Sequence, residues 1–222
     1  MNTKAFALMA ALALAGPASA QSVVGDPVAA RNKLATCAGC HGIEGYQATF
    51  PEVHKVPMIS GQSAKYITAA LAAYKKGERK HPTMRAVATS LSEQDMADLA
   101  ALYAAQGKSG GSAAGAAPPD ALKDRLAACA ACHGANFSAS IDPSYPRLAG
   151  QHADYLQAAL RAYHTDGNPN IGRSNALMRG QVMQEAQGKR KLTFSSAELK
   201  QVAAYIASLP GELTVVAQSG LR

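Results

Sequence analysis

Cys37-Ala38-Gly39-Cys40-His41-Gly42 recurs as Cys129-Ala130-Ala131-Cys132-His133-Gly134, and the two stretches use all four cysteines of the 222-residue chain. Two thiols at this spacing can each add across one vinyl group of a haem, giving two thioether bonds. The histidine that follows is then held under the iron. CxxCH is the pattern of c-type haem attachment, and an imidazole on one side of the iron is the usual ligation. Other uses of the cysteines fit less well. Two disulfides leave the histidine after each pair unexplained. A zinc ribbon keeps its cysteine pairs close in sequence, whereas 88 residues separate Cys40 from Cys129. A thioredoxin-like pair needs βαβ patterning, which neither stretch has. The cysteines therefore read as attachment points for two covalently bound haem c groups.

The chain opens with a leader. Lys4 supplies a positive start, Ala5 to Ala15 an apolar run, and Ala18-Ser19-Ala20 a small-residue cleavage site. This is a secretory signal peptide, too short for a stable membrane span. Cleavage after Ala20 leaves 202 residues. No later stretch approaches the ~18 uninterrupted apolar residues of a transmembrane helix. Haem attachment to CxxCH takes place outside the cytoplasm, so export and motif agree on the periplasm. The formal net charge of +7 would allow an anionic partner, but four haem propionates would cancel much of it. An export signal and 5% aromatic content argue against nucleic acid. Peripheral association with a membrane stays open.

The mature chain divides into two similar halves. Leu34 matches Leu126, three residues before each first cysteine. Pro57-Met58-Ile59-Ser60-Gly61-Gln62 matches Pro146-Arg147-Leu148-Ala149-Gly150-Gln151. Tyr66, Leu71 and Tyr74 match Tyr155, Leu160 and Tyr163, and Leu91-Ser92 is paired with Leu192-Thr193. Between the halves, the Gly-, Ser-, Ala- and Pro-rich segment resists packing and reads as a linker. The expected layout is a signal peptide at 1–20, one domain at 21–106, a linker at 107–118 and a second domain at 119–222. Each half has three helical patterns and no convincing strand, which makes the fold all-α. One pattern runs into CxxCH. A second follows Gly-Gln, where Ile67, Leu71 and Tyr74, or Leu156, Leu160 and Tyr163, form one apolar face. The third opens on a capping signal, Ser92 to Asp95 or Ser195/Ser196 onward, with Met96, Leu99, Leu102 and Tyr103 inward. A domain of about 90 residues buries little of its own surface, so a haem at its centre would be structural as well as functional.

Five methionines follow the leader: Met58, Met84, Met96, Met178 and Met183. A thioether opposite the imidazole favours the reduced iron and raises the potential. Met96 matches Leu199 on an apolar face, and Met58 matches Arg147, so neither position requires sulfur. Met84, in His81-Pro82-Thr83-Met84-Arg85, matches Met178, in Asn175-Ala176-Leu177-Met178-Arg179. Both lie in what reads as a loop before the last helix. Met84 and Met178 are the expected sixth ligands, with Met183 as the alternative to Met178. His54, His81, His152 and His164 have no matching partners and are expected at exposed loops or helix ends.

Taken together, the paired CxxCHG motifs, the Pro-to-Gln segments, the methionines that follow and the closing helices resemble the cytochrome c4 family of dihaem periplasmic cytochromes. The resemblance covers nearly all of the mature chain. It implies two tandem cytochrome c-like domains about a pseudo-twofold axis, each a small helical bundle around one covalent haem. It also implies that the Pro57 and Pro146 carbonyls accept hydrogen bonds from His41 and His133. The chain departs from the family pattern at Met58-Ile59-Ser60 and in a longer, basic segment from Met183 to Lys191. The implied role is an electron carrier from a quinol-oxidising complex or another donor to a terminal oxidase, binding no small-molecule substrate. The other implied role is the electron-accepting subunit of a periplasmic dehydrogenase, a flavoprotein or quinoprotein. A dihaem peroxidase would need one iron with an open sixth position, against two methionine ligands here. Lys75-Lys76-Gly77-Glu78-Arg79-Lys80 and Lys189-Arg190-Lys191 are basic clusters that could steer an acidic redox partner.

Overall fold

In the computed structural model, which describes residues 23–108, 115–186 and 189–218, each CxxCH closes a helix, and the helix that follows packs against the last helix of its half. The leader, its cleavage site and the middle of the linker lie outside the described residues, as do the side chains of Lys189 and Arg190. The N-terminal half starts with a 3-10 turn at Ala29–Asn32 and α1 (Ala35–His41), then a small hairpin of β1 (Gln47–Ala48) and β2 (His54–Lys55). It continues through α2 (Ala64–Lys76), β3 (Arg79–Lys80), α3 (Pro82–Thr89) and α4 (Glu93–Ala104). The C-terminal half repeats the order with a 3-10 turn at Asp120–Leu122, α5 (Lys123–His133), α6 (Ala153–Ala162), β4 (Gly172–Arg173) and α7 (Ala176–Val182). A hairpin of β5 (Met183–Ala186) and β6 (Lys189–Leu192) follows, and α8 (Ser196–Ser208) closes it.

The expected all-α architecture of two similar units is present, with two refinements. Each half has a fourth helix, α3 or α7, where a loop was expected. Pro82 at the first position of α3 is favourable because its missing N–H would be unpaired there. At seven or eight residues these helices are too short for periodicity to reveal. The basic insertion after Met183 is the β5–β6 hairpin. It displaces the register read from sequence, because the structural counterpart of Leu91-Ser92 is Phe194-Ser195 rather than Leu192-Thr193. Ser92 and Ser195 each cap a helix in a full capping box, with Asp95 and Glu198. Leu91 and Phe194 are both buried ahead of them.

Each half has its own core. Leu34, Ile67, Leu71, Leu91, Met96, Leu99 and Tyr103 pack in one; Leu126, Leu156, Phe194, Leu199, Val202 and Ile206 pack in the other. The halves meet along a pseudo-twofold seam. β3 and β4 pair antiparallel, Arg79 opposite Arg173. Gly61 and Gly150 turn the chain at φ +83° and +75°, and their N–H groups donate to the carbonyls of Tyr103 (2.8 Å) and Ile206 (3.1 Å) at the ends of the last helices. The C-terminal segment then returns to the N-terminal half. Thr214 N–H donates to Ser60 O (3.0 Å) and Lys108 N–H to Glu212 O (2.9 Å). A Cβ on Gly61 would lie 2.4 Å from the Glu212 carbonyl, so only glycine lets these strands cross. Arg147 reinforces the crossing by donating to Gly61 O (2.6 Å) and pairing with Glu212.

Candidate haem sites

One cavity of about 1050 Å³ runs through both halves. It is lined by Cys37, Cys40, His41 and Met84 from one half and by Cys129, Cys132, His133 and Met178 from the other. All four cysteines are free. Burial pushes the Cys37 and Cys129 thiols up, so both stay protonated at neutral pH.

The last turns of α1 and α5 carry the histidines. His41 Nδ1 lies 2.8 Å from Pro57 O, and His133 Nδ1 lies 3.1 Å from Pro146 O. A carbonyl only accepts, so each Nδ1 carries the proton and each Nε2 keeps its lone pair. Burial lowers the pKa of both rings, with the carbonyl bond opposing it. The neutral imidazole that a metal requires is therefore the form the fold favours.

Met84 and Met178 occupy the same place on matching helices. Each is the third residue of its helix, and its N–H donates to the capping side chain: Met84 to His81 Nδ1 (3.4 Å), Met178 to Asn175 Oδ1 (3.0 Å). Met84 packs against the N-terminal core and Met178 against the C-terminal one. Met183 also touches the C-terminal core, but it begins β5 and is not among the cavity-lining residues. Met96 is buried in the core, away from the cavity, and Met58 lies at the seam.

The remaining histidines divide. His164 is exposed, and His152 caps α6. His54 departs from expectation. It is 8% exposed on β2, edge-on to Tyr155 with ring centroids 5.7 Å apart. The other half closes over it, which a single-sequence repeat comparison does not reveal.

Arg79, read from the sequence as part of a basic surface cluster, turns inward instead. Its guanidinium donates to the hydroxyls of Tyr66 (3.0 Å) and, across the seam, Tyr155 (3.3 Å). It also stands 4.6 Å from the Tyr74 ring centroid. Arg173, its counterpart, donates to Tyr155 (3.1 Å) and faces the Tyr163 ring. Burial alone would raise the Tyr155 hydroxyl, but Arg173 and Arg79 outweigh it and bring it to about 8. Among the described residues Tyr66 is hydrogen-bonded to Arg79 alone; there burial prevails and the pKa rises. Among the described residues neither guanidinium has a carboxylate within ion-pair distance, and Arg79 Nε is buried without a partner. Buried charges are ordinarily paired. Two cationic groups on an apolar cavity suit the propionates of two haems, so the residues present fit that cofactor. The sequence held one signal for this pair: an arginine lies five residues before Met84 and again before Met178.

Comparison with known proteins agrees with this geometry. The family model for Cytochrome c matches residues 29–102 and 123–210. A cytochrome c4 from Azotobacter vinelandii is 31% identical over 200 residues, covering 81% of this chain and 90% of that protein. A thiosulfate dehydrogenase electron acceptor from Stutzerimonas stutzeri is 31% identical, covering 78% of each chain. The solved structure of Acidithiobacillus ferrooxidans cytochrome c4 superposes with a TM-score of 0.57 at 29% identity, covering 79% of this chain and 99% of that one.

Proposed function

The chain belongs to the cytochrome c4 family and carries two covalent haem c groups, and we propose that it relays electrons between redox proteins of the periplasm through two bis-ligated centres. In this reading Cys37 and Cys40 anchor one haem and Cys129 and Cys132 the other. His41 and Met84 are the axial ligands of the N-terminal iron, and His133 and Met178 those of the C-terminal iron. Each haem, when bound, supplies a one-electron Fe(II)/Fe(III) couple whose potential follows its ligands and burial.

The chain's own residues do the rest. Pro57 and Pro146 hold the imidazoles in one tautomer and orientation. The helix caps His81 and Asn175 fix the turn that presents each methionine. Arg79 and Arg173 would neutralise propionates at the seam, and the apolar walls exclude water. The observation that carries the reading is the repetition: cysteine pair, oriented histidine and capped methionine face one cavity from each half.

The compartment follows from the export signal together with c-type attachment. Among the described residues no helix is long and apolar enough to cross a membrane. Lys75, Lys76 and Lys80 remain exposed and suit an acidic donor or acceptor, such as a quinol-oxidising complex or a terminal oxidase. Domain limits of 21–106 and 119–222 are supported by the repeat of elements, with the returning segment after Gly211 lying on the other half.

The test is a potentiometric optical titration of the mature protein together with its mass. The reading expects an increment of two haems, two one-electron waves and the methionine-to-iron charge-transfer band. The thiosulfate dehydrogenase electron acceptor among the relatives favours one second reading, a dedicated dehydrogenase subunit. A flavoprotein or quinoprotein co-purifying in fixed ratio from the native source would select it.

A further inference from the structure

Gln62 and Gln151 stand at matching positions, each directly after the glycine that turns the chain. Both are buried, at 3% and 4% exposed. Each reaches across the seam and takes both backbone groups of one residue in the other half. Gln151 Nε2 donates to Met58 O (2.9 Å), and its Oε1 accepts from Met58 N–H (3.0 Å). Gln62 Nε2 donates to Arg147 O (2.9 Å), and its Oε1 accepts from Arg147 N–H (2.9 Å). Each Oε1 also accepts from the next residue of its own chain, Ser63 or His152. A backbone N–H only donates and a carbonyl only accepts, so these partners fix which way each amide faces.

The Met58 N–H belongs to the same peptide group as the Pro57 carbonyl, which accepts from His41. The Arg147 N–H shares its peptide group with the Pro146 carbonyl, which accepts from His133. Resonance couples the two ends of a peptide group. An acceptor on its N–H pushes electron density onto its oxygen, and successive hydrogen bonds polarise one another. A stronger carbonyl acceptor makes the imidazole a better donor to its metal.

We infer that Gln62 and Gln151 are crossed positioning residues: Gln151 sets the donor strength of His41 in the N-terminal half, and Gln62 sets that of His133 in the C-terminal half. This rests on the proposed role of the two histidines as iron ligands. It makes each centre responsive to whether the other half is docked.

The test uses the full-length dihaem protein and three variants, Gln151→Leu, Gln62→Leu and Gln151→Glu. Two quantities are read: the midpoint potential of each centre, and the Nδ1–H NMR signal of each ligand histidine in the reduced protein, assigned to its half by contacts with neighbouring side chains. Gln151→Leu is expected to move the His41 Nδ1–H signal upfield, speed its exchange and raise the N-terminal potential, leaving the C-terminal centre less changed. Gln62→Leu gives the mirror image. Gln151→Glu keeps an acceptor at the Met58 N–H and returns the His41 signal toward wild type. Shifts that follow the mutated half, or that move both centres equally as simple undocking would, overturn the inference. Wild-type histidine signals without the upfield ring-current shift of a haem ligand would remove the ligand assignment beneath it, before any variant is compared.

Discussion

His41 and Pro57 are 16 residues apart in sequence, and the chain between them is a loose cover: the β1–β2 hairpin with Phe50 57% and Val53 71% exposed. His133 and Pro146 are 13 apart, and the near end of their loop is drawn in, while Ile141 further along is 71% exposed. Asn136 Oδ1 accepts from Ser138 and Ala139, and Phe137 is 2% exposed. The carbonyl of Phe137 accepts from both Leu148 and Ala149. What the halves share is the set of atoms that face the cavity. What differs is the loop that covers each site. A duplicated chain can thus keep one chemistry twice and still give its two centres different surroundings.

The severest way to break the comparison is to remove one attachment site. Cys129→Ala with Cys132→Ala should lower the protein's mass by one haem and unfold the C-terminal half, because a core of this size is marginal without its central plate. Cys37→Ala with Cys40→Ala should do the same to the other half. Circular dichroism and mass together report it, and a fully helical single-haem protein would show that the haem is not structural.

Next in size is exchange of the sixth ligand. Met84→His should lower one potential, and Met178→His the other, by on the order of 0.2–0.3 V, within the roughly 0.8 V that axial ligands span. Met183→Leu should leave both potentials in place and cost less than about 1.5 kcal/mol of stability. If Met183→Leu rather than Met178→His abolishes one methionine-to-iron band, Met183 is the ligand and the halves differ more than their helices do.

The seam offers a gentler test. On the proposed pairing with haem propionates, Arg79→Gln and Arg173→Gln would each take one partner from a buried charge pair, and such a loss costs about 3–5 kcal/mol. Each should also lower the nearer potential, because a positive charge close to the iron favours its reduced form. Equal shifts from both variants would mean that the arginines serve both centres jointly. Thermal melts and potentiometry separate the two effects.

Much of this was legible in the sequence because it was written twice. Repetition picked out the cysteines, His41 and His133, and Met84 with Met178, and it located the Pro-to-Gln segments. The reading failed where a residue's role depends on the other half. Arg79 looked like surface because four of its neighbours in sequence are polar or charged. His54 looked like loop because nothing local says that Tyr155 will cover it. Gln62 and Gln151 were visible as a repeat, but their partners lie 85 and 93 residues away. The short helices carrying the methionines were missed because one capped turn leaves little periodic pattern. The register error after Met183 came from pairing leucine with leucine when the capping serine was the better marker.

The smallest effect concerns those serines. Ser92→Ala and Ser195→Ala should each cost about 1 kcal/mol, the usual value of a lost helix cap. Asp95 and Glu198 close the two boxes, and hydrogen bonds from Ser92 and from Ser195 are the main reason each carboxyl lies below its usual range. A depressed carboxyl pKa stabilises the fold above the ordinary carboxylate range, and that stability is lost as pH falls through the folded-state value. The gap between wild type and each variant should therefore hold steady at neutral pH and narrow below roughly pH 4. Arg125 also pairs with Glu198 at 3.4 Å and Lys33 with Asp95 at 3.8 Å; both contacts are partly exposed and screened, so added salt should move the two gaps little. If the gap at Ser195 persists in acid while that at Ser92 closes, then the cap of α8 is held by its surroundings rather than by Glu198, and the β5–β6 insertion packed ahead of it is the part of the C-terminal half to examine.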